Sequence, residues 1–81
     1  MNTSYLVEFV ELAKRLSFTE TARYLDMNQP TLSKHIAALE QAFRMPLFDR
    51  TGINLKLTKN GAALLPGAYK VIDAYNDLQA L

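Results

Sequence analysis

The spacing of apolar residues changes along this chain, and this change constrains the fold more than any other feature. Up to Phe43 the apolar side chains recur every three or four residues, which predicts a run of amphipathic helices. Residues 55–57 instead alternate between apolar and polar, as in a half-buried strand. Helical spacing returns after Thr58. The sequence therefore predicts a mainly α fold with one small β-hairpin between helices.

Three helices are predicted before the hairpin. The first covers residues 5–16, and the second is a short helix with Thr19 placed to accept a hydrogen bond from its free N-terminal amides. The third is expected over about residues 30–43, because proline at the first helical position loses no hydrogen bond. Its apolar residues form one narrow stripe, which leaves the rest of the helix surface free.

A fourth helix is predicted after Thr58, which could cap it. Pro66 near its start predicts either a kink or a late beginning of the helix. Apolar residues recur at intervals of four, three, four and three, a spacing typical of the seam between two paired helices. The seam residues are Leu64, Ala68, Val71, Tyr75 and Leu78.

The third helix has an unusual polar face. Opposite its apolar stripe lie small and hydrogen-bonding residues, including Ser33, Lys34, Ala37 and Ala38, where an ordinary solvated helix more often has Glu and Lys. A helix in the DNA major groove needs short side chains near the bases and donors or acceptors near its N-terminus. Spacing alone also fits a surface helix of a bundle, or a protein-interaction module in which the third or fourth helix binds a partner without DNA.

Composition excludes several other classes of protein. The 81 residues suffice for one small core, and without cysteine there is no disulfide or thiolate metal site, which favours a cytoplasmic location. No signal peptide, membrane span, metal site or catalytic group is expected. The only histidine, His35, is expected at the groove edge or in packing. Net charge is +1, but residues 23–59 contain six basic and three acidic side chains, so the positive charge is concentrated in mid-chain.

Several separated blocks together resemble the N-terminal domain of LysR-type transcriptional regulators. The resemblance covers nearly the whole chain, with the blocks in the family's order and at its spacing. The blocks are residues 17–25, 28–36, 39–40, 46–50 and 57–58, followed by Gly61, residues 64–66 and Ala68. It implies a winged helix-turn-helix in residues 1–58, with its wing at 46–58, and a linker and dimerisation helix in residues 59–81 in which Pro66 is an ordinary feature.

The resemblance also assigns roles to individual residues. It implies base contacts from Gln29, Pro30, Thr31, Ser33 and Lys34, and phosphate contacts from Thr19, Arg23 and Arg50, joined by Lys56 in the wing. One departure concerns the wing, where Ile53 stands in place of an arginine that reaches the minor groove in many relatives. Asn54 and Lys56 could replace that arginine in part.

The implied partners are double-stranded DNA and a second copy of the chain, paired through the fourth helix. The expected protein is a bacterial transcription regulator and not an enzyme. No cofactor is expected in this domain. A small-molecule effector would act only through the C-terminal domain that members of the family normally carry and that this sequence does not include.

Overall fold

The computed structural model describes residues 2–81, and these residues form four helices and one two-stranded sheet. In chain order the elements are α1 (Thr3–Arg15), α2 (Phe18–Tyr24), α3 (Gln29–Phe43), β1 (Phe48–Asp49), β2 (Lys56–Leu57) and α4 (Lys59–Gln79). This order confirms the predicted succession of three helices, a hairpin and a fourth helix.

Every helix begins at a polar side chain that accepts a hydrogen bond from a free backbone N–H, which local sequence alone can specify. Asn2, Asn28 and Thr58 cap α1, α3 and α4. The cap of α2 is Ser17, whose hydroxyl oxygen accepts from the Glu20 N–H at 3.1 Å. The prediction that Thr19 caps this helix is wrong, because the extended backbone of Ser17 starts the helix at Phe18 and leaves Thr19 inside the first turn.

One apolar core joins all the elements, and α1 lies at its centre, packed against α2, α3 and α4. Phe9 of α1 is fully buried and meets Phe48 of β1 edge to face, with ring centroids 5.7 Å apart. The stripe predicted on α3 provides Leu32, Ile36 and Leu39, which are 0–1% exposed. The buried stripe fixes which face of α3 points away from the core.

The hairpin is antiparallel, with Phe48 opposite Leu57 and Asp49 opposite Lys56. Its second strand is followed directly by α4, where Gly61 permits a close approach of the helix to the hairpin. A Cβ atom at Gly61 would overlap the carbonyl oxygen of Leu47 and the side chain of Leu57, so only glycine fits between α4 and the hairpin.

Helix α4 begins at Lys59 and continues through Pro66, so the late start considered from the sequence is wrong. Ala68, in its middle, is buried in the common core, whereas residues 73–81 are exposed. None of the helices described in residues 2–81 combines the length and apolarity needed to cross a membrane. Three helices, a hairpin and a projecting C-terminal helix make up a winged helix-turn-helix with one appended helix.

Candidate nucleic-acid interface

The N-terminal half of α3 presents the predicted base-contacting residues on the outside of the domain. Gln29, Pro30 and Lys34 are exposed, and Thr31 and Ser33 are half-buried. The exposed surface continues along the same helix through Ala37, Ala38 and Gln41. Because short side chains leave the helix backbone accessible, this surface can approach another molecule closely, with hydrogen-bonding groups at its N-terminal end.

A hydrogen bond brings the opening turns of α2 and α3 together. The side-chain amide nitrogen of Gln29 donates to the hydroxyl oxygen of Thr19 at 2.6 Å. This bond leaves the amide oxygen of Gln29 free to accept another hydrogen bond. A residue assigned to bases and one assigned to phosphates are therefore adjacent and share one polar surface.

Three of the predicted DNA-contacting cations are free of intramolecular ion pairs. Within residues 2–81, Arg23, Lys34 and Lys56 form no salt bridge, and all three are exposed. Lys14 and Arg15, by contrast, both pair with Glu11. Unpaired exposed cations keep their charge available for an anionic partner.

Arg50, at the start of the wing, has two neighbours from other elements. Its guanidinium carbon lies 5.0 Å from the centre of the Phe18 ring. One guanidinium nitrogen, Nη2, is 3.6 Å from Oε1 of Glu40 on α3. Because the Arg50 side chain is 44% exposed, the guanidinium remains accessible from outside.

Glu40 is a contact residue that the sequence pattern does not identify as one. Its Oε2 accepts hydrogen bonds from the backbone N–H groups of Leu47, at 2.7 Å, and Phe48, at 3.2 Å. It therefore attaches the first strand of the wing to α3. The one available signal was the Leu39-Glu40 block of the family resemblance, which carries no information about the partners of this carboxylate.

The turn of the wing is shaped by Asp49. Its Oδ1 accepts from the Thr51 hydroxyl at 2.6 Å and from the Thr51 N–H at 2.9 Å. These two hydrogen bonds, with a smaller contribution from the charge of Lys56, hold the pKa of Asp49 below its ordinary value. Beyond this turn, Ile53 is fully exposed.

His35 lies in packing between α1 and α3. Its Nδ1 is 2.7 Å from Oε1 of Glu8, and its ring stacks on Tyr5 with centroids 4.0 Å apart. Of the two roles considered for this residue, packing is the one that the contacts support. Within residues 2–81, no three histidine or acidic side chains gather closely enough to hold a metal ion.

The five predicted seam residues of α4 fall into two groups. Ala68 is 2% exposed and Leu64 packs against the same core, so both are already in contact with their own chain. Val71, Tyr75 and Leu78 are 43%, 45% and 68% exposed. Val71 lines an apolar groove together with Leu6 and Phe43. Tyr75 lines a second groove of mixed polarity against the start of α1. The pairing role of α4 stays a prediction.

Comparison with known proteins agrees with this architecture. A family model described as bacterial regulatory helix-turn-helix protein, LysR family, matches residues 4–62. The chain belongs to this family.

Two curated relatives illustrate the similarity. An uncharacterized HTH-type transcriptional regulator of Azotobacter vinelandii is 43% identical over 77 residues, which cover 95% of this chain and 54% of that protein. The HTH-type transcriptional regulator CitR of Bacillus subtilis is 39% identical over 80 residues, covering 99% of this chain and 28% of CitR. This chain thus spans about half of the first relative and about a quarter of the second. Both are named as transcriptional regulators, in agreement with the expectation that the chain is not an enzyme.

Solved structures share the fold. A LysR family transcriptional regulator, VV2_1132, superposes with a TM-score of 0.94 at 28% identity, over 99% of this chain and 29% of that one. A BenM DNA-binding domain in complex with catB site 1 DNA superposes with a TM-score of 0.90 at 29% identity, over 99% of this chain and 90% of that one.

Proposed function

We propose that this chain is the DNA-binding domain of a transcription regulator and that α3 enters the major groove of duplex DNA. The observation that carries the proposal is the exposed N-terminal half of α3, which presents small and hydrogen-bonding residues beside Thr19 of α2. The similarity to the BenM DNA-binding domain, which extends over nearly all of both chains, supports it. In this proposal the domain needs no cofactor.

Base and phosphate contacts come from different elements of one continuous surface in this proposal. Base edges are contacted by the opening of α3, and phosphates by residues of α2 and of the wing. The proposed base contacts are Gln29, Pro30, Thr31, Ser33 and Lys34. The proposed phosphate contacts are Thr19, Arg23, Arg50 and Lys56.

The domain acts as a two-fold dimer in this proposal, paired through α4. The exposed residues Val71, Tyr75 and Leu78 supply the contact surface, and Leu64 and Ala68 support it from the core side. A two-fold dimer places its two α3 helices in successive major grooves, so the half-sites lie about 34 Å apart, or a multiple of this distance. The bound site is then approximately palindromic.

The longer proteins that this chain resembles place such a domain in a larger regulator. We propose that the regulator acts in the cytoplasm and that an effector is bound outside the residues described here. The share of each relative that this chain covers, 54% and 28%, leaves room for such a region.

Selection of bound sequences from a random pool of duplex DNA, at low and at moderate salt, tests the proposal. Enrichment of a two-fold symmetric site, with affinity falling steeply as salt rises, is the expected result, because phosphate contacts release counterions. If no sequence is enriched even at low salt, α3 does not contact bases and a protein-interaction module becomes the better account. An enriched but asymmetric site would contradict the dimer alone.

Two substitutions separate base contacts from phosphate contacts. Lys34→Ala should weaken binding to the selected site more than to a duplex of mixed sequence, by about 1–3 kcal/mol if a paired base contact is lost. Arg23→Ala should weaken binding to both duplexes by similar factors and reduce the slope of log K against log salt by about 0.9. Equal losses of specificity for the two variants would refute this division of roles.

Sedimentation of a matched pair of α4 variants tests the dimer. Val71→Lys places a charge in the proposed seam and should produce monomers, whereas Asp73→Lys, on the opposite side of the helix, should leave the dimer intact. A dimer that survives Val71→Lys would remove α4 from this role.

A further inference from the structure

We infer that Glu40 is a positioning residue that holds Arg50 of the wing in place for a phosphate contact. This inference rests on the proposed function, since it assigns how one of the phosphate contacts is oriented. It comes from contacts between α3, the wing and α2, three elements that must keep a fixed spacing to engage DNA together.

The two oxygens of the Glu40 carboxylate have separate partners. Oε2 accepts from both backbone N–H groups at the start of the wing, those of Leu47 and Phe48. Oε1 is free of those bonds and lies 3.6 Å from Nη2 of Arg50. One side chain of α3 therefore anchors the wing backbone with one oxygen and orients the wing cation with the other.

Phe18 completes the arrangement from a third element. The Arg50 guanidinium lies 5.0 Å from the Phe18 ring centre, and Phe18 is adjacent in sequence to Thr19, which bonds to Gln29. The guanidinium thus lies between an α3 carboxylate and an α2 ring, and the residue that carries this ring precedes the proposed phosphate contact Thr19 in sequence. Arginine has five N–H donors, so a single contact to Glu40 leaves donors for a phosphate oxygen.

The positioning role makes a prediction opposite in sign to that of simple electrostatics. A carboxylate near DNA repels phosphates, so removal of its charge should strengthen binding if Glu40 were only a nearby negative charge. If Glu40 instead orients Arg50, removal of its charge should weaken binding. The direction of the change therefore discriminates between the two roles.

Glu40→Gln is the suitable variant because of the division between the two oxygens. The amide oxygen of glutamine can take the place of Oε2 and keep both backbone hydrogen bonds, while its NH₂ group faces Arg50 and cannot accept from it. Affinity for a mixed-sequence duplex at low salt should fall by a factor of about two to five, the usual range for an accessible ion pair. As a control, Glu20→Gln removes the charge of an exposed side chain of α2 and should leave the affinity for DNA unchanged or slightly raised.

A double-mutant cycle with Arg50→Met separates the interaction between Glu40 and Arg50 from any general effect of Glu40→Gln on the fold. Arg50→Met deletes the charge but keeps a long side chain over Phe18, and Glu40→Gln should have no further effect on affinity in that background. Equal losses from Glu40→Gln with and without Arg50, or an increase in affinity, would overturn the inference. Absence of DNA binding by the unsubstituted chain would contradict the proposed function itself, so the two failures are distinguishable.

Discussion

Helix α3 and the wing belong to the same proposed interface, but they differ in how many buried residues hold them in place. The helix is seated by Leu32, Ile36 and Leu39, which are almost completely buried. Each strand of the wing has only two residues. Leu47 and Phe48 bury its first strand in the core, and polar side chains add directed contacts to the rest of the domain. Glu40 bonds its first strand from α3, and the hydroxyl of Thr58 donates to the carbonyl of Pro46 at 2.7 Å.

This difference affects how each region can fail. Apolar burial is non-directional and is shared among many contacts, so loss of one α3 core residue weakens the whole domain. Directed hydrogen bonds each constrain one point, so loss of one should loosen the wing while the helical core remains folded.

Ile36→Ala should lower the free energy of unfolding by about 2–5 kcal/mol, because it removes a fully buried side chain and leaves a cavity. Urea denaturation followed by circular dichroism measures the change. Ala37→Ser, one residue further along on the exposed face, is the control and should alter stability by less than about 0.5 kcal/mol. A small effect of Ile36→Ala would mean that the apolar stripe does not seat α3.

Two glycines of α4 offer a matched pair, because Gly61 lies at the junction with the wing and Gly67 lies away from it. Gly61→Ala should destabilise the domain by about 1–3 kcal/mol, because the new methyl group meets the Leu47 carbonyl and the Leu57 side chain. Gly67→Ala has open space around it and should stabilise by about 0.5–1 kcal/mol through better helix propensity. Thermal unfolding of the two variants compares them directly. Similar shifts in both would show that the close approach at Gly61 is unimportant.

Thr58→Ala removes a hydroxyl that both caps α4 and bonds to Pro46. Gly61 N–H donates to this hydroxyl at 2.9 Å, and loss of such a cap costs about 1 kcal/mol. Amide hydrogen exchange should accelerate in the wing and the first turn of α4 more than in α3. Thr58→Ser keeps both hydrogen bonds and should restore slow exchange. Uniform acceleration across the domain would remove the distinction between the two regions.

The smallest expected effect is the loss of wing stability when Asp49 is protonated at low pH. Since hydrogen bonds from Thr51 lower the pKa of Asp49 in the folded chain, its ionised form stabilises the wing above the pKa of the unfolded chain. That contribution is lost as the pH falls below the ordinary aspartate range and through the lowered folded value. The Thr51 amide resonance, followed by NMR, reports the ionisation of Asp49. Its titration midpoint should lie at a lower pH than the midpoint of an aspartate in an unfolded chain. Thr51→Val removes the hydroxyl donor and should move this titration upward.

Local sequence predicted the helices well because the signals lie within one turn of the elements that they specify. The apolar stripe of α3 and the first-turn position of Pro30 were both identified, and the observed helix begins only one residue earlier, at Gln29. The error at α2 was also local. Ser17 and Thr19 are both good capping residues, and only the backbone conformation at Ser17 decides between them.

The polar contacts at the interface and in the packing beside it could not be predicted in this way. The bonded partners Glu40 and Leu47, Gln29 and Thr19, and His35 and Glu8 are separated by 7, 10 and 27 positions. Each pair joins α3 to another part of the chain, and helical periodicity relates only residues within one helix. The sequence therefore indicated which residue types lie near the interface, but not which residues bond to one another.

Local sequence was sufficient to locate the helices and the hairpin, to identify the buried face of α3 and to show which residue types are left on its surface. It could do so because helical periodicity and capping act over three or four residues. Tertiary structure decided that Ala68 is enclosed by the core while Tyr75 is exposed, and that one carboxylate of α3 meets both the wing backbone and Arg50. These outcomes depend on how the helices pack against one another, because burial and side-chain pairing are set by elements distant along the chain.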